Sequence, residues 1–147
     1  MNPDRSFGRD GSLRRHLLEE ELTRKIIGAF FEVYNALGFG FLESIYRRAL
    51  EIALRRRGLL VDREFPIEIF FGGESVGFHR IDLLVERRVI VEVKATHKLA
   101  YADRLQLMNY VTAMNLDVGL LLHFGPRPEI KRVLGGAQPE RARSDQG

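Results

Sequence analysis

The sequence predicts a mixed α/β domain with elements in the order ααβββαβ(β): a mixed central sheet flanked by helices. Three observations carry this reading. Two stretches with three- and four-residue apolar spacing come first. Three segments rich in β-branched and aromatic residues follow, parted by short turns. Helical spacing then returns ahead of a short, wholly apolar run. A chain of 147 residues suits one domain and can bury about two-thirds of its extended-chain surface.

The first helix is predicted over Leu17–Leu37, where Leu22, Ile26, Phe30, Val33 and Leu37 repeat at helical spacing and Gly38 and Gly40 stop the run. The second runs from Leu42 to Arg57, with Leu42, Ile45, Tyr46, Ala49 and Ala53 on one stripe and Gly58 as its stop. Val61–Phe71, Val76–Val85 and Val89–Ala95 read as three strands of a meander, the last two separated by Glu86-Arg87-Arg88. A third helix is expected from Asp103 to Asn115. Val118–Phe124 suits a strand buried on both faces, and Ile130–Leu134 a last edge strand. The polar, aperiodic ends, 1–16 and 135–147, are expected to be flexible tails around one domain at 17–134.

Composition excludes more than it identifies. With 45% hydrophobic and 29% charged residues the chain has the makings of a packed core. It contains no Cys, so there is no disulfide framework, cysteine zinc site, thiol nucleophile or iron–sulfur cluster. The first sixteen residues lack the apolar core of a signal peptide, and no run approaches the ~18 apolar residues of a membrane span. The expected setting is cytoplasmic, away from membranes. A formal charge of +3 is too small to identify a nucleic-acid binder.

Chemistry concentrates in His79-Arg80-Ile81-Asp82-Leu83-Leu84-Val85 and Ile90-Val91-Glu92-Val93-Lys94-Ala95. Unpaired charge is costly in a core strand, yet Glu92 and Lys94 interrupt one apolar strand and Asp82 interrupts its neighbour. Glu92 and Lys94 are two apart and share a face. Two carboxylates can hold a hard cation such as Mg2+, and a lysine beside them can orient water or stabilise a charged transition state. Register is the test. A two-residue turn would pair Asp82 with Val93 and turn it away from Glu92, whereas the three-residue loop Glu86-Arg87-Arg88 pairs Asp82 with Glu92.

Asp82 followed by Glu92-Val93-Lys94 resembles the signature of the PD-(D/E)XK nuclease superfamily. Gly40-Phe41-Leu42-Glu43-Ser44-Ile45-Tyr46 resembles the motif that names the GxxExxY family within it. The resemblance extends from about Leu22 to Leu134 and takes in Gln106, Tyr110 and Phe124-Gly125. It implies a restriction-endonuclease-like core. It also implies a catalytic set of Lys94, Glu92, Asp82 and Gln106, and Mg2+ or Mn2+ held by Asp82, Glu92, the Val93 carbonyl and Glu43. The implied activity is metal-dependent hydrolysis of phosphodiester bonds in nucleic acid, with DNA the expected substrate. Arg80, expected on the face of Asp82, is the leading phosphate contact, with Arg104 and Tyr110 beside it.

Plainer roles compete. Glu43 stands in a first helical turn, where a carboxylate complements the helix dipole. Tyr46 lies on an apolar stripe and reads as core, and Gly40 as backbone geometry. Tyr110 suits packing. His16 falls in the expected tail, His79 on the face opposite Asp82, His97 in an exposed loop and His123 at a sheet end. Arginine runs such as Arg55-Arg56-Arg57 usually make a solvated helix face. Two other functions stand beside the nuclease: a nucleic-acid-binding module that keeps the fold without cleaving, and a protein-interaction domain, such as a homodimer formed through the first helix at an exposed Phe30-Phe31 pair.

Overall fold

In the computed structural model, which describes residues 4–135, helices α1 (Asp4–Leu37) and α2 (Glu43–Arg56) precede strands β1 (Val61–Phe71), β2 (Glu74–Val85) and β3 (Val89–Lys94). Helix α3 (Tyr101–Ala113) then crosses over to β4 (Val118–Phe124), and β5 (Pro128–Leu134) closes the order. The sheet runs β1-β2-β3-β4-β5; β3 and β4 are parallel and the other neighbours antiparallel. Among the described residues no helix is long and apolar enough to cross a membrane.

Helices α1 and α2 cover one sheet face and α3 the other, so the core has two layers. Leu22, Ile26, Phe30 and Val33 of α1 meet Tyr46, Leu50 and Leu54 of α2 over Val89, Val91 and Val93. Leu107 and Val111 of α3 meet Ile67, Ile81, Ile90 and Leu121 on the opposite face. Every residue of β4 is buried, as a strand covered on both faces requires. Phe30 is fully buried and Phe31 is exposed, which removes the exposed pair expected to drive dimerisation. Glu51, buried on α2, is ringed by Arg48, Arg55 and Arg63 at 3.1, 3.3 and 3.8 Å, so these arginines serve the fold.

Helix α1 begins at Asp4, well before the expected Leu17, and His16 is helical rather than in a tail, 3.3 Å from Glu20. Apolar spacing could not reveal this part. Residues 11–14, 16 and 17 are exposed, so the helix continues there without a buried stripe. Apart from Gly135, the expected C-terminal tail lies outside the described residues.

Tyr46 latches the α1–α2 loop. Its ring is fully buried and stacks on Phe124, centroids 4.3 Å apart. Its hydroxyl donates to the Gly38 carbonyl and accepts the Phe41 N–H at 3.2 Å. Gly38 and Gly40 stand at φ 70° and 118°, which lets the loop fold back over the ring. Tyr46→Phe is expected to cost about 1–3 kcal/mol by leaving partly buried loop groups unpaired, read as a lower urea midpoint at unchanged slope.

Gly119 governs how closely α3 lies on the sheet. A Cβ there would stand 2.6 Å from Val111 Cγ2 and 3.1 Å from Leu107 Cδ1. Gly119→Ala is expected to destabilise by about 1–3 kcal/mol through overpacking. Adding Val111→Ala should recover part of the loss in the same denaturation assay.

Candidate active site

The β2–β3 connection is the three-residue loop: Val85 pairs with Val89, Leu84 with Ile90 and Leu83 with Val91. Beyond Leu83 the two strands part. The next β3 amide, that of Val93, donates to Asp82 Oδ2 at 2.7 Å, so a carboxylate takes the place of the next ladder bond. The paired groups of one antiparallel residue point the same way, so the Val93 carbonyl also faces this gap.

The β1–β2 hairpin is kinked at the same level. Leu83 and Val85 pack beneath α1 and α2, yet Ile81 packs beneath α3, as does Leu84. Side-chain alternation therefore slips by one between Ile81 and Leu83. In β1 the slip falls at Glu64, which has φ 52°: Val61 packs beneath α2, while Phe65, Ile67 and Ile69 pack beneath α3. A left-handed residue inside a strand marks such an irregularity.

This slip corrects two expectations that assumed a regular strand. His79 shares the α3 face with Ile81 and stands next to Glu92, its Nε2 3.5 Å from Glu92 Oε1. Its ring stacks on Tyr110, centroids 3.8 Å apart and planes within 8°. Arg80 falls on the other face of the hairpin arm and is exposed, away from His79 and Glu92. The arginine that does reach Asp82 is Arg47 of α2, whose Nη1 lies 2.9 Å from Oδ1.

Asp82 and Glu92 are close neighbours in a poorly hydrated place. Burial first, and then the Asp82 charge, push the Glu92 carboxyl up to about 9 from its ordinary 4.5. Lys94, two residues along β3, shares the Glu92 face and pulls weakly the other way. Its Nζ lies 3.8 Å from Asp103 Oδ1, while Asp103 Oδ2 accepts the Ala100 N–H at 3.1 Å at the start of α3. Burial lowers His79, against a raising effect from Asp82, and raises Tyr110, against a lowering hydrogen bond from Gln106.

Asp103, Gln106 and Tyr110 form one row along α3, at i, i+3 and i+7. Arg104 is exposed and off this row. Glu43 is half-buried in the first turn of α2, four residues before Arg47 on the same helix face, but does not join the acid pair. Among the described residues no three metal-ligating side chains form a ready-made cage. The pair nonetheless fits a divalent cation: Glu92 Oε1 is shielded from solvent without a hydrogen-bond partner, and two adjoining carboxylates require an added positive charge to ionise together.

His97 is exposed, as expected. His123 is buried at the end of β4, with Nε2 2.6 Å from the Thr96 carbonyl. Arg47, Asp103 and His79 are the site residues that sequence reasoning missed. A usable signal existed for two of them: Arg47 is one turn after Glu43, and Asp103 three residues after Ala100 has helix-capping spacing. For His79 the signal was hidden by the kink.

A mixed sheet with helices on both faces, whose acids and lysine sit where two strands part, defines a restriction-endonuclease-like fold. A model of the PD-(D/E)XK nuclease superfamily matches residues 20–133, and the chain belongs to that superfamily. The crystal structure of SSO0001 is similar in fold, with a TM-score of 0.54 and 19% identity over 90% of this chain and 67% of that one. No curated protein matches the chain.

Proposed function

We propose that the protein is a metal-dependent nuclease that hydrolyses phosphodiester bonds, with DNA as substrate and with kinship to the GxxExxY group through Gly40, Glu43 and Tyr46. The observation that carries this reading is the Asp82–Glu92 pair beside Lys94 at the parting of β2 and β3. Mg2+ or Mn2+ bound there would supply Lewis-acid activation of water and offset phosphate charge. Asp82 and Glu92 are its holders, with the Val93 carbonyl facing the same gap; Glu43, four residues before Arg47 on α2, would add a further acid on loading.

Each remaining residue has a task of its own. Lys94 presents an ammonium to the attacking water and to charge that builds on the phosphoryl oxygens. Asp103 restrains that ammonium from the side of α3. Arg47 holds the Asp82 carboxyl from the side of α2 until the site is loaded. Gln106 and Tyr110 wall the site, and exposed Arg104 and Arg80 are available to phosphates further along a bound strand.

One observation favours a second reading, binding without cleavage: Arg47 already neutralises Asp82. A cleavage assay separates the two. Linear, nicked, branched and single-stranded DNA are incubated with Mg2+, Mn2+ or chelator. Cleavage that needs metal and is absent in Lys94→Ala and Asp82→Ala supports the nuclease. Equal silence, or equal activity, of all three proteins overturns it.

A further inference from the structure

We propose that His79 supplies a nitrogen ligand to the divalent cation held by Asp82 and Glu92. The inference rests on the metal-dependent reading above and adds to it a ligand type that the acid pair alone lacks.

The first support is placement. The slip at Glu64 and Asp82 turns His79 onto the α3 face, so the imidazole stands beside Glu92 instead of on the far side of the sheet. The second is the state of the two facing atoms. His79 Nε2 and Glu92 Oε1 are 3.5 Å apart, both shielded from solvent, and neither has a hydrogen-bond partner. They lie within ion-pair distance but without a hydrogen bond, and shielded polar atoms left without one are costly. Their separation suits a shared ion, since two donors each about 2.1 Å from one cation, at roughly a right angle or slightly more, stand about 3–3.5 Å apart.

The third support is that the ring is already oriented. Tyr110 stacks flat on the imidazole, and Gln106 stands one turn before Tyr110 on the same row of α3. An aromatic floor fixes the ring plane and leaves the edge bearing Nε2 directed at Glu92. Tyr110 and Gln106 thereby act as positioning residues that reach the site through His79. An imidazole donor also shifts metal preference. Carboxylate and carbonyl oxygens alone suit Mg2+, whereas a nitrogen donor favours transition ions over Mg2+, so Mn2+ is the expected better occupant.

The test uses Mn2+ alone with the full chain. Electron spin-echo spectroscopy reads nitrogen coupling to the bound ion, and calorimetry reads affinity. Wild type is compared with His79→Phe, which keeps a ring to stack on Tyr110, with the smaller His79→Gln, and with Glu92→Gln. The expected result is nitrogen coupling in wild type, its loss in both His79 variants, and Mn2+ affinity lowered by about 10–100-fold in them. Mn2+ binding that needs Glu92 but shows no nitrogen coupling overturns this inference and leaves the nuclease reading standing. Coupling that persists in the His79 variants does the same. Failure of wild type to bind Mn2+ overturns both.

Discussion

Lys94→Ala is expected to slow metal-dependent cleavage by about 10²–10³-fold while changing Mg2+ affinity by no more than a few-fold. The lysine is no ligand in the proposed site, and its ammonium is needed where negative charge develops on the phosphoryl group. Loss of one such preorganised group in a dry site typically has that effect. Asp82 should behave differently. Its carboxylate is nearly buried and serves Arg47, the Val93 N–H and Glu92 at once. Asp82→Ala is expected to remove both metal binding and cleavage, and also to destabilise by about 1–3 kcal/mol, because a backbone donor loses its partner and a guanidinium its counter-charge. Asp82→Asn keeps the shape and should stay closer to wild-type stability while remaining inactive. Single-turnover rates, metal titration and urea unfolding on the same preparations separate these effects. If Lys94→Ala lost metal binding as completely as Asp82→Ala, the division of labour between them would be wrong.

Glu92→Gln is expected to stabilise the metal-free protein, and increasingly so as pH rises from 5 to 8. The sign follows from proton uptake. The unfolded chain releases the Glu92 proton near the ordinary 4.5, while the folded protein holds it until about 9. Between these values the unfolded state binds fewer protons, so the contribution of Glu92 to wild-type stability is complete below 4.5 and is lost as pH climbs toward 9. Glutamine has no proton to lose, and the variant should gain about 1–3 kcal/mol over wild type near pH 8, a rise of several degrees in Tm. The same group predicts proton release on metal loading. Near pH 7 about one proton should leave wild type per ion bound, and calorimetry in buffers of different ionisation enthalpy measures it. An unchanged pH profile in Glu92→Gln would mean that Glu92 is ionised without metal.

The parts of the fold that bury apolar surface at a fixed period were legible in the sequence. Val61–Phe71 and Val118–Phe124 are strands over those residues, and the loop from Glu86 to Arg88 sets the expected register. What escaped did not depend on period. Residues 11–14, 16 and 17 of α1 are exposed, so no apolar period there announces the helix. The slip at Glu64 and Asp82 is a backbone event at two ordinary acidic residues, with only Pro66, two positions past Glu64, to mark it. One slipped residue reverses every side chain beyond it, which is why Arg80 and His79 exchanged faces relative to expectation. Arg47 was visible only as one of several arginines, because its pairing with Asp82 joins elements 35 residues apart in sequence.

Considered mechanically, that slip is a joint. The short ladder from Leu83 to Val85 clamps Asp82 against β3, while the hairpin beyond the joint, with Phe70, Phe71, Val76 and Phe78 exposed near its tip, has no β3 ladder to obey. The part of the arm beyond His79 can therefore change length or surface chemistry without disturbing the clamp or the imidazole, provided Glu64 and Asp82, where the offset is set, are kept. The geometry of the candidate site and the surface of the arm's tip can vary independently within a single pair of strands.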